Sequence, residues 1–422
     1  MKHLSRGTVA ITILSIIPVV LLVSAESFRI SLAGFASIAG ILALTLLSCN
    51  IILSARLSIF DKFFNGLDKM YYAHYIIGCL VLIFALVHFN LLVVSSMQIS
   101  SSAAFNFLLQ ADSIALLAGK ASLGILFSAM IVVLFIKVKY QWFIITQRIM
   151  GAVIFFAGFH ALFVPGSDIR RNTPLLLFMS VLGFTAAFFY IYRSLFHKKL
   201  NKSYEYTVDE IRRLGKITEV YLRPKQSKLS HYAGQFVFVS FNSTVVNNEP
   251  HPFTISSGSG ESRLRFSIKN LGDYTKRLHK LRPGDTAIIE GPFGNFSSTK
   301  VSKRKQLWIA GGIGITPFLS MTKSLLPGYS ITLYYCVKTQ ADAVYLSAIK
   351  KVSTDNSLFT VIPVFTDKED PITLARIQQE IPDINDRSVL LCGPPAMMHS
   401  LQRQLKKVVT LNNIYYEEFS LK

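Results

Sequence analysis

Long apolar runs alternate with short polar segments over the first 198 residues of this 422-residue chain. Six of the runs carry little or no charge, and each is close to the roughly twenty residues that a helix needs to cross a bilayer. They lie at about residues 8–25, 31–55, 71–97, 113–136, 141–164 and 174–196. The pattern predicts a bundle of six transmembrane helices over residues 1–198.

The period changes after residue 204. Short alternating segments such as "KITEVYLRP" and "QFVFVSF", separated by turn residues, predict an antiparallel β-barrel over residues 204–300. From residue 305 to 422 strands alternate with glycine-rich turns and helices, a pattern typical of an α/β doubly wound domain with a parallel sheet. The predicted fold is therefore multidomain, with a helical membrane bundle followed by a barrel and a nucleotide-binding domain.

Basic residues in the short loops predict the orientation, because cytoplasmic loops carry more Lys and Arg. Of the three loops on one side of the membrane, the first has Arg29 as its only basic residue, the second has none, and the third has Arg170 and Arg171. The opposite sides are richer in cations, namely Lys2, Arg6, Arg56, Lys62, Lys69, Lys137, Lys139, Lys198, Lys199 and Lys202. We expect both termini in the cytoplasm and the bundle in a bacterial inner membrane. The alternative that the first run is a signal peptide, with "VSA" ending at Ala25, leaves the other spans unchanged.

The formal net charge of +20 raises the question of nucleic acid. The basic residues are spread along the soluble part rather than clustered, which favours a domain beside anionic lipid, with no nucleic-acid partner. The four cysteines, Cys49, Cys79, Cys336 and Cys392, have neither the spacing of a zinc site nor that of a disulfide framework.

His74 and His88 lie fourteen residues apart in the third apolar run. That spacing is close to four helical turns, so both imidazoles lie on one face, roughly 21 Å apart along the axis. A polar group satisfied within the bundle explains one such histidine. Two at this spacing favour metal or haem ligation, because ionisable groups are costly in a membrane.

Two glycine-rich turns have the form of phosphate sites. Gly311, Gly312 and Gly314 of "AGGIGITPF" stand between a strand and a helix, with Thr316 in the first helical turn. A second strand-to-helix turn, "LLCGPPAMM", follows at the end of a later strand. In the barrel, Gly272 with Asp273 or Thr275 gives a third candidate. The alternative for each is an ordinary tight turn or capped helix.

Taken together, "HPFT", "IKNLGDYT", "EGPFG", "GGIGITPF", "CGPPAM" and "EEF" resemble the flavoprotein module of ferredoxin reductases. The membrane half, with "GLDKMYYAHYIIG" leading into His88, resembles the haem-binding domain of the ferric reductase and NADPH oxidase superfamily in its bacterial form. The resemblance implies FAD, b-type haem, and NADPH or NADH as cofactors.

The resemblance also implies residue roles. In "HPFT", with His251 and Pro252, His251 would lie near the FAD pyrophosphate, Phe253 would pack on the flavin and Thr254 would face its reactive edge. The remaining expected contacts fall into three groups. They are Lys269, Gly272 and Thr275 on the FAD pyrophosphate; Gly311, Gly312, Gly314 and Thr316 on that of the nicotinamide cofactor; and Cys392, Gly393, Pro394, Glu417 and Phe419 around the hydride-transfer site. Cys392, Phe419 and Thr254 are the expected catalytic contacts, with Phe419 as an aromatic cover over the flavin.

The family precedent supplies four haem-ligating histidines, and this chain departs from it. His88 and His160 match an outer pair, and His74 matches one inner ligand, but Gln147 stands where the fourth histidine is expected. One or two haems are therefore predicted, and we favour an inner haem held by His74, since without it the electron path lengthens by roughly 21 Å. Three nearby cations are expected either to pair with haem propionates or to lie at the interface, namely Arg56, Lys69 and Arg148.

The sequence therefore predicts an NAD(P)H oxidase or ferric-chelate reductase that moves electrons from cytoplasmic NAD(P)H to outer oxygen or a ferric chelate. A periplasmic protein or quinone is the alternative acceptor. Two other classes stay open: a transporter or channel with a regulatory nucleotide-binding domain, and a haem-free flavoprotein anchored by helices. Lys338 and Thr339, after the second strand of the nucleotide domain, leave NADPH and NADH undecided. The sequence gives no oligomeric state.

Overall fold

A computed structural model describes residues 5–55, 57–64, 66–110, 112–136, 140–196 and 203–417. The chain forms two compact units that divide between Leu200 and Asn201. Helices account for the regular structure described in the first unit. They are α1 (Arg6–Val23), α2 (Leu32–Ser54), α3 (Ser58–Phe64), α4 (Leu67–Met97), α5 (Ser101–Leu109), α6 (Ile114–Phe135), α7 (Tyr140–Phe163), α8 (Asp168–Arg171) and α9 (Thr173–Ile191).

Six of the described helices, α1, α2, α4, α6, α7 and α9, are long and apolar enough to cross a bilayer. This confirms the predicted six spans. The sequence analysis did not predict the short helices α3, α5 and α8, which lie in the loops. The last span ends as a helix at Ile191 and continues as a π-helical segment, Tyr192–Phe196.

Serine side chains fix where several of these helices begin. Ser31 accepts a hydrogen bond from the backbone N–H of Gly34, and Ser113 accepts one from that of Leu116, each at 3.1 Å. Ser5 and Ser100 do the same for α1 and α5. Each cap satisfies one backbone donor that the first helical turn leaves without an intrahelical acceptor.

Helix α2 is the centre of the membrane unit. Within its most apolar stretch 61% of residues are buried, compared with 17–22% in the other spans. It packs against α1, α4 and α9. Its buried face carries small residues, including Ala36, Ala39 and Ala43, which allow neighbouring helices to approach closely.

The second unit opens with an antiparallel barrel. Its strands are β1 (Ser203–Leu214), β2 (Ile217–Pro224), β3 (Phe236–Asn242), β4 (His251–Thr254), β5 (Leu264–Lys269) and β6 (Thr286–Phe293). They are hydrogen-bonded in the order β4-β3-β6-β1-β2-β5. A bridge between Ile255 and Phe266 joins the two ends of that order. The enclosed apolar side chains include Tyr206, Val220 and Ile289, all fully buried.

A five-stranded parallel sheet follows. Its strands are β7 (Lys305–Gly311), β8 (Ser330–Val337), β9 (Phe359–Phe365), β10 (Ser388–Cys392) and β11 (Ile414–Glu417), and its helices are α10 (Thr316–Thr322), α11 (Leu346–Asp355), α12 (Leu374–Glu380) and α13 (Pro395–Leu405). The spatial order is β11-β10-β7-β8-β9. The strand order reverses between β7 and β10, and open sheets of this kind bind ligands at the carboxyl ends on either side of such a reversal. Both predicted soluble folds are confirmed.

The barrel and the parallel sheet share one apolar core. Ile217, Ala233 and Phe296 from the barrel pack in the same buried cluster as Trp308 and Phe318 from the sheet side. The domain boundaries that the sequence indicates, at residues 198, 204, 300 and 305, stay predictions.

Candidate functional site

His88 is held by a small-residue surface on α2. Its Nδ1 lies 2.8 Å from the backbone carbonyl oxygen of Ala36. One turn further along α2, a Cβ at Gly40 would lie 2.8 Å from the same Nδ1. A nitrogen facing a carbonyl oxygen must donate, so the proton lies on Nδ1 and the lone pair on Nε2. That tautomer presents Nε2 to a metal.

His160 repeats this arrangement against α6. Its Nδ1 lies 2.9 Å from the carbonyl oxygen of Ala115, and a Cβ at Gly119 would lie 2.6 Å from Nδ1. The carbonyl and the glycine are again four residues apart, as Ala36 and Gly40 are in α2. Both imidazoles therefore have the same tautomer and rest on a surface that lacks a side chain.

The two histidine rings lie close together. Their ring centroids are 6.2 Å apart, with the ring planes inclined by 71°. Metal–imidazole bonds are about 2 Å long, so two rings that bind one ion from opposite sides have centroids roughly 6 Å apart. The spacing, the shared tautomer and the neutral nitrogen donors fit haem iron with two histidine ligands.

The predicted inner ligand His74, and Gln147 in place of the fourth histidine, lie on the same two helices. His74 and Gln147, both half-buried, precede His88 in α4 and His160 in α7. Near Gln147, the carbonyl oxygen of Arg148 accepts a 2.7 Å hydrogen bond from the Tyr190 hydroxyl. The Tyr190 ring also occupies the space that a Cβ at Gly151 would need. Arg148 is exposed and Lys69 half-buried, while Arg56 lies outside the described residues. An inner haem stays a prediction.

Strand β4 carries the predicted flavin contacts. The His251 ring stacks on Tyr274, with centroids 3.7 Å apart, and its Nε2 lies 3.5 Å from the Glu249 carboxylate. Burial lowers the pKa of His251, and the Glu249 charge opposes that effect. Pro252 pairs with Phe238 of β3.

Phe253 and Thr254 complete β4. Phe253 is half-buried and lies against Phe266, with ring centroids 6.4 Å apart. The Thr254 hydroxyl is buried, with no hydrogen-bond partner among the described residues. A buried hydroxyl without a partner is costly. Thr254 therefore fits a ligand atom, such as a flavin nitrogen, as its partner.

The loop after β5 is held by its own hydroxyl. The Thr275 Oγ1 accepts 3.0 Å hydrogen bonds from the backbone N–H groups of Leu271 and Gly272. It also donates to the Gly272 carbonyl oxygen. Thr275 thus shapes the turn, while Gly272 and Asp273 are exposed and Lys269 is half-buried at the end of β5.

Two turns meet at the carboxyl edge of the parallel sheet. A Cβ at Gly314 would lie 2.3 Å from the Cys392 carbonyl oxygen, and one at Gly393 would lie 2.9 Å from the Gly311 backbone. A Cβ at Gly311 would meet Pro394 at 2.6 Å. These glycines let the turns touch, backbone against backbone. Gly312 has a φ of +54° and open space around its Cα.

Thr316 lies in the first turn of α10, and its contact with the nicotinamide cofactor stays a prediction. Its side chain is buried, and its hydroxyl donates to the Ile313 carbonyl oxygen at 3.0 Å. At the end of β8, Thr339 forms a capping box with Asp342, at 2.8 Å between Thr339 Oγ1 and the carboxylate, and Lys338 is exposed.

Cys392 and Glu417 lie side by side on paired strands. Cys392 is fully buried, and burial raises the pKa of its thiol, with a further contribution from the Glu417 charge. A Cβ at Gly294 would lie 2.9 Å from a Glu417 carboxylate oxygen and 3.2 Å from the Phe236 ring. Phe236 pairs with Thr254 across β3 and β4. The structure therefore brings Thr254, Cys392 and Glu417 into one region, and Phe419 lies outside the described residues.

Several residues of the site were missed by the sequence analysis. Gly40 and Gly119 support the two imidazoles, and Tyr274 stacks on His251. Gln235 is buried just before β3 and connects it to the end of β6, since its Nε2 donates to the Gly294 carbonyl oxygen at 3.0 Å. The "AGQFVFV" and "LGDYT" segments contain Gln235 and Tyr274, so attention to polar residues within these motifs would have found them.

Three family models match the chain in order. A ferric reductase like transmembrane component matches residues 39–158. An FAD-binding domain matches residues 214–297, and an oxidoreductase NAD-binding domain matches residues 308–403. The order is that of a ferric reductase or NADPH oxidase type of fusion.

Individual relatives match parts of the chain. Flavohemoprotein A of Dictyostelium discoideum is 25% identical over 51% of this chain and 60% of its own length. Ferric reduction oxidase 3, mitochondrial, of Arabidopsis thaliana is 32% identical over 27% of this chain and 18% of its own length. The chain thus spans less than two thirds of these relatives. The flavohemoglobin structure from Malassezia yamatoensis has a TM-score of 0.51 at 16% identity, covering 96% of this chain and 99% of that one, a likeness of fold alone.

Proposed function

Since this chain belongs to the ferric reductase and NADPH oxidase type of membrane fusion, we propose that it is an NAD(P)H-dependent oxidoreductase that carries electrons across the membrane. They would pass from cytoplasmic NAD(P)H through FAD and b-type haem to an acceptor on the outer side. FAD, when bound, takes a hydride as two electrons and releases them singly, as one-electron iron chemistry requires.

The paired histidines support this route most directly. The rings of His88 and His160 lie 6.2 Å apart, and both donate Nδ1–H to a helix carbonyl. An ordinary pair of buried histidines has no need of matching tautomers at a separation that fits one metal ion. The chain's task here is to hold two neutral imidazoles ready, so that no proton has to leave when iron binds.

The soluble unit's part is to bind and orient. Thr254 offers a hydroxyl to the flavin edge, and the touching Gly314 and Gly393 turns form a backbone surface for the nicotinamide cofactor. Cys392 contributes a neutral thiol, because burial raises its pKa. It would act as a small wall rather than as a nucleophile.

Haem content tests the route. We would purify the full chain in detergent and determine haem per FAD by pyridine haemochrome for wild type, His88→Ala and His74→Ala. Loss of about one haem in His88→Ala is expected, since a haem that His88 and His160 would hold together should lose much of its affinity when either histidine is removed. A wild type with flavin but no haem absorption would leave a membrane-anchored flavoprotein and overturn the electron route.

The same series decides the inner haem. About two haems per FAD, falling to about one in His74→Ala, would establish an inner haem ligated by His74. Equal haem in wild type and His74→Ala would exclude His74 as a ligand and remove the inner haem from the proposal.

The proposed acceptors are oxygen, giving superoxide, and a ferric chelate, with a periplasmic protein or quinone as the alternative. Arg170 and Arg171 are exposed in α8, in the predicted outer loop, where two cations attract anions. Replacing both with Gln is expected to raise the KM for ferric citrate about threefold to tenfold at low salt. Superoxide production should be unaffected, because oxygen is neutral. An unchanged KM for ferric citrate would contradict this role.

A further inference from the structure

The segment Ser256–Ser257 lies just beyond the predicted flavin contacts. It follows Thr254 by two residues, and both serines are fully buried. Ser256 is anchored within the barrel, where its hydroxyl donates to the Arg265 carbonyl oxygen at 2.9 Å and lies 3.0 Å from the Ser267 hydroxyl. Ser256 is therefore held in a fixed position relative to β4, the strand that carries Thr254.

A first hydrogen bond reaches this segment from the nucleotide-binding side. The Ser320 hydroxyl donates to the Ser257 carbonyl oxygen at 2.6 Å, and Ser320 is fully buried. Ser320 belongs to α10, the helix that directly follows the glycine-rich turn. The turn expected to hold the nicotinamide cofactor is thus bonded, through one helix, to the strand expected to hold the flavin edge.

A second connection runs through Glu219, a carboxyl group only 3% exposed on β2. The Tyr345 hydroxyl, from the nucleotide-binding side, donates to its Oε1 at 3.0 Å. The Tyr221 hydroxyl donates to its Oε2 at 2.9 Å. Burial raises the pKa of Tyr345, so the phenol stays protonated and remains a donor.

Arg265 continues this connection to the same serine segment. Its Nη1 lies 3.7 Å from Glu219 Oε1. Its Nη2 donates to the Ser256 carbonyl oxygen at 2.7 Å, and its Nε donates to the Ser256 hydroxyl at 3.2 Å. Two independent connections from the nucleotide-binding side therefore converge on two consecutive residues.

Attraction between the two parts does not require these groups. The shared core around Trp308 and Phe318 already holds the barrel against the parallel sheet, and apolar burial is favourable but non-directional. A buried carboxylate, by contrast, is costly unless its partners are well placed. Directional bonds to Glu219 and Ser257 restrict the two parts to one relative position, and hydride transfer depends steeply on position, with about a hundredfold loss for a 1 Å misplacement.

We propose that Tyr345, Glu219 and Ser320 are positioning residues. By bonding the nucleotide-binding side to Ser256–Ser257 of the barrel, they set the distance and direction at which the nicotinamide cofactor approaches the flavin edge. The proposal rests on the proposed function. It concerns hydride transfer alone, not haem binding or the outer acceptor.

Tyr345→Phe tests it, and the chain offers a matched control. Tyr334 is also fully buried, and its hydroxyl donates to the Glu380 carboxylate at 2.6 Å. Its contacts lie in the cluster of α12 and α13, which contains no barrel residue among those described. Tyr334→Phe therefore removes a similar hydroxyl–carboxylate bond without touching the connection to the barrel.

The measurement is anaerobic stopped-flow reduction of FAD in the full-length protein at increasing NADPH and NADH, with 4-deuterated cofactor to report on hydride transfer. We expect Tyr345→Phe and Ser320→Ala to lower the limiting rate about 10- to 100-fold, with an unchanged apparent Kd and a larger isotope effect. Tyr334→Phe should keep the wild-type rate and isotope effect. FAD release on heating shows whether the two Tyr→Phe variants lose similar stability.

Each result has a distinct meaning. If neither Tyr345→Phe nor Ser320→Ala has a lower limiting rate of FAD reduction than Tyr334→Phe, the positioning role is wrong. The proposed function would still hold. A wild type whose FAD is reduced by neither cofactor would overturn the proposed function, and the positioning role with it.

Discussion

Two glycines make room for the histidine pair that is proposed to bind haem. At Gly40 and Gly119 a Cβ would lie within 2.8 Å of an imidazole nitrogen. Each imidazole therefore occupies space that any other residue type would fill. The glycines let each ring approach its neighbouring helix, and hydrogen bonds to carbonyl oxygens one turn away fix the tautomer of the ring.

We expect Gly119→Ala to displace His160 and weaken haem binding about 10- to 100-fold, the usual cost of disturbing a ligand's supporting contacts. Gly124→Ala is the matched control, since it lies in the same helix with nothing within 4 Å of its Cβ. Both variants gain about 1 kcal/mol of helix propensity. Haem retained during gel filtration measures the effect, and equal retention by both would contradict the supporting role.

His231 is a buried imidazole with a different environment. It is 7% exposed, and its ring lies against the backbone of Leu229 and of Ser257. Burial lowers its pKa more than backbone hydrogen bonds with Leu229 and Ser257 raise it, and the smaller effects of the Lys228 and Glu261 charges oppose each other. The unfolded chain therefore takes up a proton at a higher pH than the folded chain does.

Stability is accordingly lost as the pH falls below about 6.5, by at most about 1.4 kcal/mol per pH unit for this one group. When the pH is lowered from about 7.5 to about 5.5, the temperature at which heating releases FAD should decrease. His231→Gln should show a smaller fall, because it removes a group that must be neutral to stay buried. An identical pH dependence in the two proteins would show that His231 does not contribute.

The proposed nucleotide site lies between paired elements, since β7 and β10 end side by side and their turns touch. The closest approach is at Gly314, where a Cβ would lie 2.3 Å from the Cys392 carbonyl oxygen. A backbone atom cannot rotate away as a flexible side chain can. A side chain at Gly314 must therefore separate the turn after β7 from the turn after β10.

Gly314→Ala is expected to raise the KM for NAD(P)H about tenfold, equivalent to roughly 1.4 kcal/mol of binding, while FAD content stays at the wild-type level. Gly260→Ala, in an exposed barrel turn with nothing within 4 Å, should leave both unchanged. Steady-state kinetics with an artificial acceptor and FAD absorbance test this. Loss of FAD with an unchanged KM would mean that Gly314 supports the fold rather than the cofactor site.

For the whole molecule, electron transport across the membrane requires the soluble unit and the outer loops to face opposite compartments. The charge bias of the loops predicts the soluble unit inside. Ser102 in α5 and Ser357 near β9 are both exposed. They provide one reporter position in each region.

In intact cells a membrane-impermeant maleimide is expected to label Ser102→Cys, and to label Ser357→Cys only after lysis. The native cysteines give little background, because Cys49, Cys336 and Cys392 are buried and Cys79 is half-buried. If intact cells label Ser357→Cys but not Ser102→Cys, the predicted orientation is wrong, and NAD(P)H oxidation takes place outside.

Local patterns were enough to predict much of this molecule. Apolar runs of bilayer length predicted the six spans, and a change of period predicted the barrel and the doubly wound sheet. Each pattern records which face of one element avoids water, and it can be read from consecutive residues. The short helices in the loops were missed because no apolar period distinguishes them.

Motif residues were likewise recognisable, including His88, His160 and the glycines of "GGIGITPF". The sequence by itself determined which elements form and which residue types they offer. Only the tertiary structure decided that His88 lies beside His160 with Gly40 and Gly119 behind the rings. It alone also decided that Ser320 bonds to Ser257 and Tyr345 to Glu219. Those contacts join residues far apart in the chain, and they depend on how helices and strands pack against one another, which no local period records.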